Sequence, residues 1–185
     1  MRLRAAEALP RYSKMFRHNH YEAAFEAFLR DRRVPYLAVD EKRRSLIESG
    51  ETIKNLDFVV HAPDGNSWLV DVKGRKFPSG TEHRSYWKHW TTLDDLVGMG
   101  RWQTLFGSTT GLFVFAYWIC GGHSPLPKEK LFTFRGEMYA FVAVTYFEYL
   151  CEVHLISPRW KTYAMPTKRF RTLARPFEDF VMPGN

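Results

Sequence analysis

Apolar residues recur at helical spacing in the segment that follows residue 19. They would form one stripe on a helix, made of Tyr21, Ala24, Phe25, Phe28 and Leu29. Asn19 stands directly before this stripe, and an asparagine there suits a helix N-cap because its side-chain oxygen accepts a backbone N–H. We therefore predict a first helix over residues 20–32.

A β-hairpin is predicted over residues 55–75, because two short apolar runs flank a turn. The turn consists of Pro63, Asp64, Gly65 and Asn66. Proline presets φ, and glycine and asparagine tolerate positive φ, as tight turns require. Upstream, residues 34–39 have the pattern of a strand, and we expect the first hairpin strand to begin at Ile53.

The pattern after the hairpin predicts a second helix and another strand. Thr91 or Thr92 is expected to cap a helix that has Asp94 and Asp95 in its first turn and ends near Phe106. Residues 112–120 are almost continuously apolar, which is typical of a buried core strand. The predicted order up to this point is therefore αβββαβ.

The rest of the chain has shorter elements. The pattern predicts strands at residues 139–144 and 159–165, a helix or strand at 147–153, and a short helix at 167–174. We expect three parts: a basic N-terminal arm (1–18), a core (19–120) and a C-terminal extension packed on the same domain (121–185). A solvated tail is the simpler interpretation of the arm, and a phosphate-contacting segment is the alternative.

Composition and charge narrow the class of protein. A hydrophobic content of 45% in 185 residues predicts one globular domain, and a net charge of +7 favours a polyanionic partner, with nucleic acid ahead of an anionic membrane. The longest apolar run is too short to span a bilayer, and no signal peptide is evident, so we expect a cytoplasmic protein without a membrane partner. Cys120 and Cys151 show no metal-binding or redox spacing.

The predicted hairpin carries charges where apolar residues are expected. Asp57 lies on the first strand and Asp71, between two valines, lies on the second, with Lys73 on the same face of that strand. If the turn is centred between Asp64 and Gly65, Asp57 lies opposite residue 71 or 72. Two neighbouring buried carboxylates repel each other and are costly to desolvate, and a bridging divalent cation would remove both costs.

In this hairpin, Asp57 is followed after thirteen residues by the tripeptide Asp71-Val72-Lys73. This pattern resembles the motif of the PD-(D/E)xK nuclease superfamily, although Leu56 stands where the name of the motif has proline. The resemblance implies an α/β restriction-endonuclease-like αβββαβ core with a mixed central sheet, extended here by C-terminal strands and a short helix. It also implies a metal-dependent nuclease that hydrolyses phosphodiester bonds, in DNA more than RNA. Many members dimerise to cut two strands, so a homodimer is compatible with it.

The resemblance also assigns roles to residues. Asp57 and Asp71 would bind Mg²⁺ or Mn²⁺, which prefer carboxylate oxygens, and Lys73 would position or deprotonate the attacking water and stabilise the transition state. Members carry a glutamate on the preceding helix, which here implies Glu22, with Glu26 as its substitute. Gln103 on the second helix would support the site, although a surface role is the simpler interpretation.

Basic residues near the motif and in the C-terminal part are candidates for nucleic-acid binding. They are Arg43, Arg44, Arg75, Lys76, Arg84, Lys88, Lys168, Arg169 and Arg171. Each of these charges could instead belong to a solvated face. Two other functions are open: a catalytically inactive nucleic-acid-binding module of the same fold, and an aromatic-rich protein-interaction domain.

Overall fold

The structure is a computed structural model, and it describes residues 19–39, 45–46, 52–79, 87–107 and 109–182. Its elements in chain order are α1 (His20–Asp31), β1 (Tyr36–Ala38), β2 (Ser45–Leu46), β3 (Thr52–Ile53), β4 (Phe58–His61), β5 (Ser67–Phe77), β6 (Thr91–Thr92), α2 (Leu93–Leu105), β7 (Thr110–Ile119), a 3₁₀ turn (Lys128–Lys130), β8 (Phe132–Phe134), β9 (Glu137–Thr145), α3 (Tyr146–Glu152), β10 (His154–Ser157), β11 (Thr162–Ala164), α4 (Thr167–Leu173), β12 (Arg175–Pro176) and α5 (Glu178–Val181).

A mixed sheet in the order β1-β4-β5-β7-β9-β12 forms the centre of the molecule, and β8 adds to β9. β4 and β5 pair antiparallel as the predicted hairpin, whereas β5 and β7 run parallel from Trp68↔Thr110 to Phe77↔Ile119. A parallel pair needs a long crossover, and the chain between these strands contains α2. The protein is therefore of the mixed α/β class.

Several predicted elements are confirmed within a few residues: α1 with its Asn19 cap, the strand at β1, α2 with its Thr92 cap, β7, β9 and α4. The segment 147–153, for which the pattern predicted either a helix or a strand, is the helix α3 within one residue. The predicted strand at 159–165 is formed only from Thr162, because Lys161 has a left-handed φ of +46° in the turn before it.

The predicted start of the hairpin at Ile53 is wrong. Thr52–Ile53 pairs with Ser45–Leu46 in a separate two-stranded sheet, and the hairpin strand begins at Phe58. The intervening backbone leaves the sheet because the Lys54 carbonyl accepts the indole N–H of Trp102 on α2 at 2.9 Å. Asp57 consequently lies at the entrance to β4 and not within it.

Alternation along β5 divides the core into two layers. Val70 and Val72 face α1 together with Phe25, whereas Leu69 faces α2 together with Leu96. Strand β5 is thus covered on both faces, which explains its nearly continuous burial from Leu69 to Lys73.

Gly74 permits α1 to approach β5 closely. A Cβ atom built on Gly74 would lie 2.1 Å from Cδ2 of Tyr21, so any larger residue would displace the aromatic ring or the helix. The side chain of Tyr21 therefore covers the backbone one residue beyond Lys73.

The C-terminal third of the chain is part of the same central sheet. β8, β9 and β12 extend it beyond β7, and Phe177 and Phe180 join the core layer around α1. β10 and β11 form a smaller three-stranded sheet with β6. Within the described ranges, none of the helices combines the length and the hydrophobicity that crossing a membrane requires.

Candidate active site on the central hairpin

The backbone of β5 holds the Asp57 carboxylate. The register pairs Phe58 with Val70, so one step back Asp57 lies opposite Asp71. The Asp57 N–H donates to the Val70 carbonyl at 2.9 Å, and the Val72 N–H donates to Asp57 Oδ2 at 2.5 Å. The sequence prediction that Asp57 lies beside residue 71 or 72 is therefore confirmed.

Lys73 is a buried ammonium group between carboxylates. Its Nζ lies 2.5 Å from Asp71 Oδ2 and 2.9 Å from Asp95 Oδ1, and only 10% of its side chain is exposed. Burial by itself lowers the pKa of Lys73, but the charges of Asp71, Asp95 and Asp57 outweigh it and raise the pKa above the ordinary lysine value. Lys73 is therefore a permanent cation near neutral pH.

Asp95 is the main residue of this site that the sequence did not reveal. It is the third residue of α2 and forms a capping box, since Thr92 Oγ1 accepts its N–H and its Oδ2 accepts the Thr92 N–H at 2.8 Å. Thr91 Oγ1 and Thr92 Oγ1 also donate to Oδ2, at 2.9 and 2.7 Å. Oδ1 is left to contact Lys73 and Lys54, so one carboxylate links the helix cap to the site.

Burial alone would raise the pKa of Asp95, but Lys73 and Lys54 outweigh it and hold the pKa far below the usual aspartate range. Lys54 precedes the hairpin, and its side chain, 43% exposed, touches Asp95 and lies 4.0 Å from Asp71 Oδ1. We refer to Lys54, Asp57, Asp71, Lys73 and Asp95 as the charge cluster. With every member ionised it holds three negative and two positive charges.

Asp71 is the least compensated member of the charge cluster. Burial raises its pKa, and the negative charge of Asp95 adds to this, whereas Lys73 and Lys54 lower it; the net direction is upward. Its buried Oδ2 has the Lys73 ammonium as its partner, at 2.5 Å. The upward direction of the pKa means that Lys73 and Lys54 do not fully offset the cost of burying this carboxylate, so an additional cation would stabilise its ionised form.

A small cleft lies beside Asp71, where a divalent cation could bind. This cleft of about 10 Å³ borders Asp71, Asp95 and Lys54, which is room for roughly one water-sized particle. Hard carboxylate oxygens beside this small cleft are of the kind that Mg²⁺ or Mn²⁺ prefers. Among the described residues, however, no three His, Cys, Asp or Glu side chains already form a metal-binding group.

The two glutamates of α1 are placed differently from the hairpin residues. Glu22 is buried and accepts the Asn19 amide at 2.5 Å, but α1 packs on the Val70–Val72 face of β5, opposite to Asp71 and Lys73. A role for Glu22 at the metal stays a prediction. Glu26 binds Arg30 at 2.8 Å and the Tyr36 hydroxyl at 2.8 Å beside the edge strand β1, which disfavours it as the substitute.

Gln103 lies at the other end of α2 from the charge cluster. Its amide donates to the Thr109 carbonyl at 3.4 Å, and the eight residues that separate it from Asp95 correspond to about 12 Å along a helix axis. The structure therefore connects Gln103 to the loop before β7 and not to the hairpin.

The basic residues predicted to contact nucleic acid fall into three groups. Arg75, Lys76 and Lys88 lie on or after β5, with the guanidinium of Arg75 stacked on Trp90 and the ammonium of Lys76 near the Trp118 ring. On α4, Lys168 and Arg171 are exposed, while Arg169 is paired with Glu152 at 2.8 Å. Arg43, Arg44, Arg84 and the arm 1–18 lie outside the described residues.

Replacing Asp95 by Asn is expected to lower the free energy of unfolding by about 2 kcal/mol at pH 7, because Lys73 loses one of its buried partners and the capping box is weakened. Urea denaturation would measure the loss. The exposed neighbour Asp94, changed to Asn, is the matched control and should cost less than about 1 kcal/mol.

The effect of Asp95→Asn should depend on pH. The pKa of Asp95 is lower in the folded than in the unfolded protein, so its ionised form stabilises the fold above the unfolded-state pKa of about 3.9. This stabilisation is lost as the pH falls below that value. The difference between wild type and Asp95→Asn should therefore narrow below pH about 4. A difference that stays constant down to pH 2 would contradict the assigned ion pairs.

Comparison of the chain with protein-family models finds no matching family, and comparison with curated proteins finds no matching relative. Function therefore has to be inferred from the charge cluster and its surroundings.

Proposed function

We propose that this protein is a metal-dependent nuclease of the PD-(D/E)xK type, which hydrolyses phosphodiester bonds, in DNA more than in RNA. The observation that carries the proposal is the buried Asp71–Lys73 pair on β5, with Asp57 directly across the hairpin. The crossover through α2 to the parallel strand β7 supports it, because it agrees with the αβββαβ order and the mixed sheet that the resemblance implies.

Asp57 and Asp71 are the residues that would hold Mg²⁺ or Mn²⁺. When bound, such an ion supplies an acidified water and neutralises charge on the scissile phosphate. Asp57 is held by the Val72 N–H, so its carboxylate is already oriented towards β5. Asp71 contributes a buried carboxylate whose Oδ2 is paired with Lys73 and whose Oδ1 lies 4.0 Å from the Lys54 ammonium.

Lys73 stabilises negative charge in this proposal and does not act as a base. Its raised pKa keeps the ammonium protonated at neutral pH, so it cannot accept a proton from water but can offset charge that develops on the phosphate oxygens. Asp95 fixes the position of that ammonium from the α2 side. The half-exposed Lys54 lies at the mouth of the cleft, where a phosphate oxygen could replace its contact with Asp95.

Cleavage assays on several substrates test this function. Linear, circular and four-way-junction DNA, together with RNA, are incubated with the purified protein in Mg²⁺, in Mn²⁺ or in EDTA. We expect cleavage of at least one DNA substrate with a divalent ion and none in EDTA. If no substrate is cleaved with Mg²⁺ and none with Mn²⁺, the proposal is refuted.

One observation favours a second candidate, a nucleic-acid-binding module that does not cleave. The ammonium groups of Lys54 and Lys73 already balance most of the carboxylate charge beside the cleft, and no three-ligand group is preformed among the residues that the structure describes. This alternative predicts binding that weakens steeply with salt and no cleavage in any of the above reactions.

A further inference from the structure

An open groove lies on the small sheet that adjoins the charge cluster. It has a volume of about 440 Å³ and is lined by Trp90, Thr92, Ile156, Trp160 and Thr162. We refer to it as the tryptophan groove. Three of its residues are large exposed apolar side chains: Trp160 is 67% exposed, Ile156 is 46% exposed and Trp90 is 37% exposed. Rings that remain exposed to this extent gain little from folding and are available for a ligand.

Positive charge surrounds the tryptophan groove. The Arg75 guanidinium lies 4.0 Å from the centre of the Trp90 ring, and the Arg159 guanidinium lies 5.1 Å from the centre of the Trp160 ring. Among the residues that the structure describes, none of those lining the groove is acidic. Aromatic faces flanked by cations are suited to a ligand that combines planar rings with negative charge.

Two side chains, Thr92 and Arg75, connect the tryptophan groove to the charge cluster. Thr92 lines the groove, pairs with Thr162 across β6 and β11, and donates its hydroxyl to Asp95 Oδ2 at 2.7 Å. The other oxygen of Asp95 contacts Lys73. Arg75 follows Lys73 on the same face of β5 and donates to the Trp90 carbonyl at 2.5 Å, so the groove and the site share two structural links.

We infer that the tryptophan groove binds unpaired bases, and that the substrate of the adjacent site is nucleic acid with a single-stranded segment. This inference rests on the proposed nuclease function. Bases in a duplex present their faces only to one another, whereas unpaired bases can stack on Trp160 and Trp90 while their phosphates meet the exposed Arg159 and are attracted by the charge of Arg75. Sequence readout is not required, because every base offers a planar face.

Fluorescence polarisation in EDTA tests the inference without any cleavage. The probes are a labelled oligo-dT and an abasic oligonucleotide of equal length, which has the same phosphates but no bases. We expect wild type to bind oligo-dT about tenfold more tightly than the abasic strand. Trp160→Ala should remove most of that difference. Phe147→Ala is the matched control, because Phe147 is 70% exposed on α3, outside the groove, and should leave the difference unchanged.

Two results would overturn the inference. Equal binding of both oligonucleotides by wild type, or an unchanged preference in both Trp160→Ala and Trp90→Ala, would show that bases do not occupy the groove. A concentration-dependent dimer that Trp160→Ala abolishes, without any base preference, would assign the groove to a protein contact instead.

Failure here is separable from failure of the nuclease proposal. Duplex cleavage with Mg²⁺ and no base preference would remove only the groove inference. A base preference that Trp160→Ala abolishes, in a protein that cleaves nothing, would leave the groove as a binding site and remove the nuclease.

Discussion

Asp71→Asn is expected to reduce Mg²⁺-dependent cleavage by more than about 100-fold. Loss of a residue that only supports a metal ligand typically costs 10- to 100-fold, and Asp71 is proposed to be a direct ligand, so its loss should exceed that range. Asparagine keeps the size of the side chain but removes its charge. Single-turnover cleavage with enzyme in excess over substrate is the appropriate measurement, because it reports the chemical step without product release.

Asp71→Asn should remain folded. Burial raises the pKa of Asp71, which means that the environment penalises its charge, and Lys73 keeps Asp95 as a partner in the variant. Thermal unfolding would verify this. Asp31→Asn, at the exposed end of α1, is the matched control and should cleave like wild type. Undiminished cleavage by pure Asp71→Asn would show that the metal is not held at β5.

Lys73→Met is expected to lower the free energy of unfolding by about 3–5 kcal/mol, which is a large share of the ~5–15 kcal/mol of a typical domain. Methionine fills a similar volume but leaves Asp71 and Asp95 buried without the ammonium between them. Like charges in a desolvated site repel strongly, and removing one partner of a buried pair leaves that cost uncompensated. Urea unfolding with an unchanged m-value would measure the loss.

Two further variants define the cause of this loss. Lys128→Met, at an exposed position on the 3₁₀ turn, should change the free energy of unfolding by less than about 0.5 kcal/mol. The double variant Lys73→Met/Asp71→Asn should recover part of the stability, because it removes one of the uncompensated charges. A loss below 1 kcal/mol in Lys73→Met alone would indicate that the carboxylates are hydrated or protonated.

Local sequence signals were sufficient for the elements that carry the hairpin. The Asn19 cap and the helical stripe identified α1, and the Pro63–Asn66 turn placed Asp57 beside Asp71 because hairpin register follows from the turn. The cap at Thr92 also marked the start of α2 from local sequence, because a capping box joins residues that are only three apart. In each case the interacting groups are close along the chain.

Local signals failed where a short stretch could pair with more than one neighbour. Ile53 was expected to begin the hairpin, but it pairs with Ser45 in a separate sheet. The strands β10 and β12 were not predicted. Both have only a few residues, and β12 depends on the distant strand β9 for its hydrogen bonds.

The sequence alone identified Asp57, Asp71 and Lys73, because one turn and a two-residue alternation bring them together. The tertiary fold added Lys54 and Asp95, which reach β5 only when α2 packs on that face of the sheet. It also joined Trp90 to Trp160 through the pairing of β6 with β11. Contacts between residues this far apart depend on how whole elements pack, and no local pattern encodes that packing.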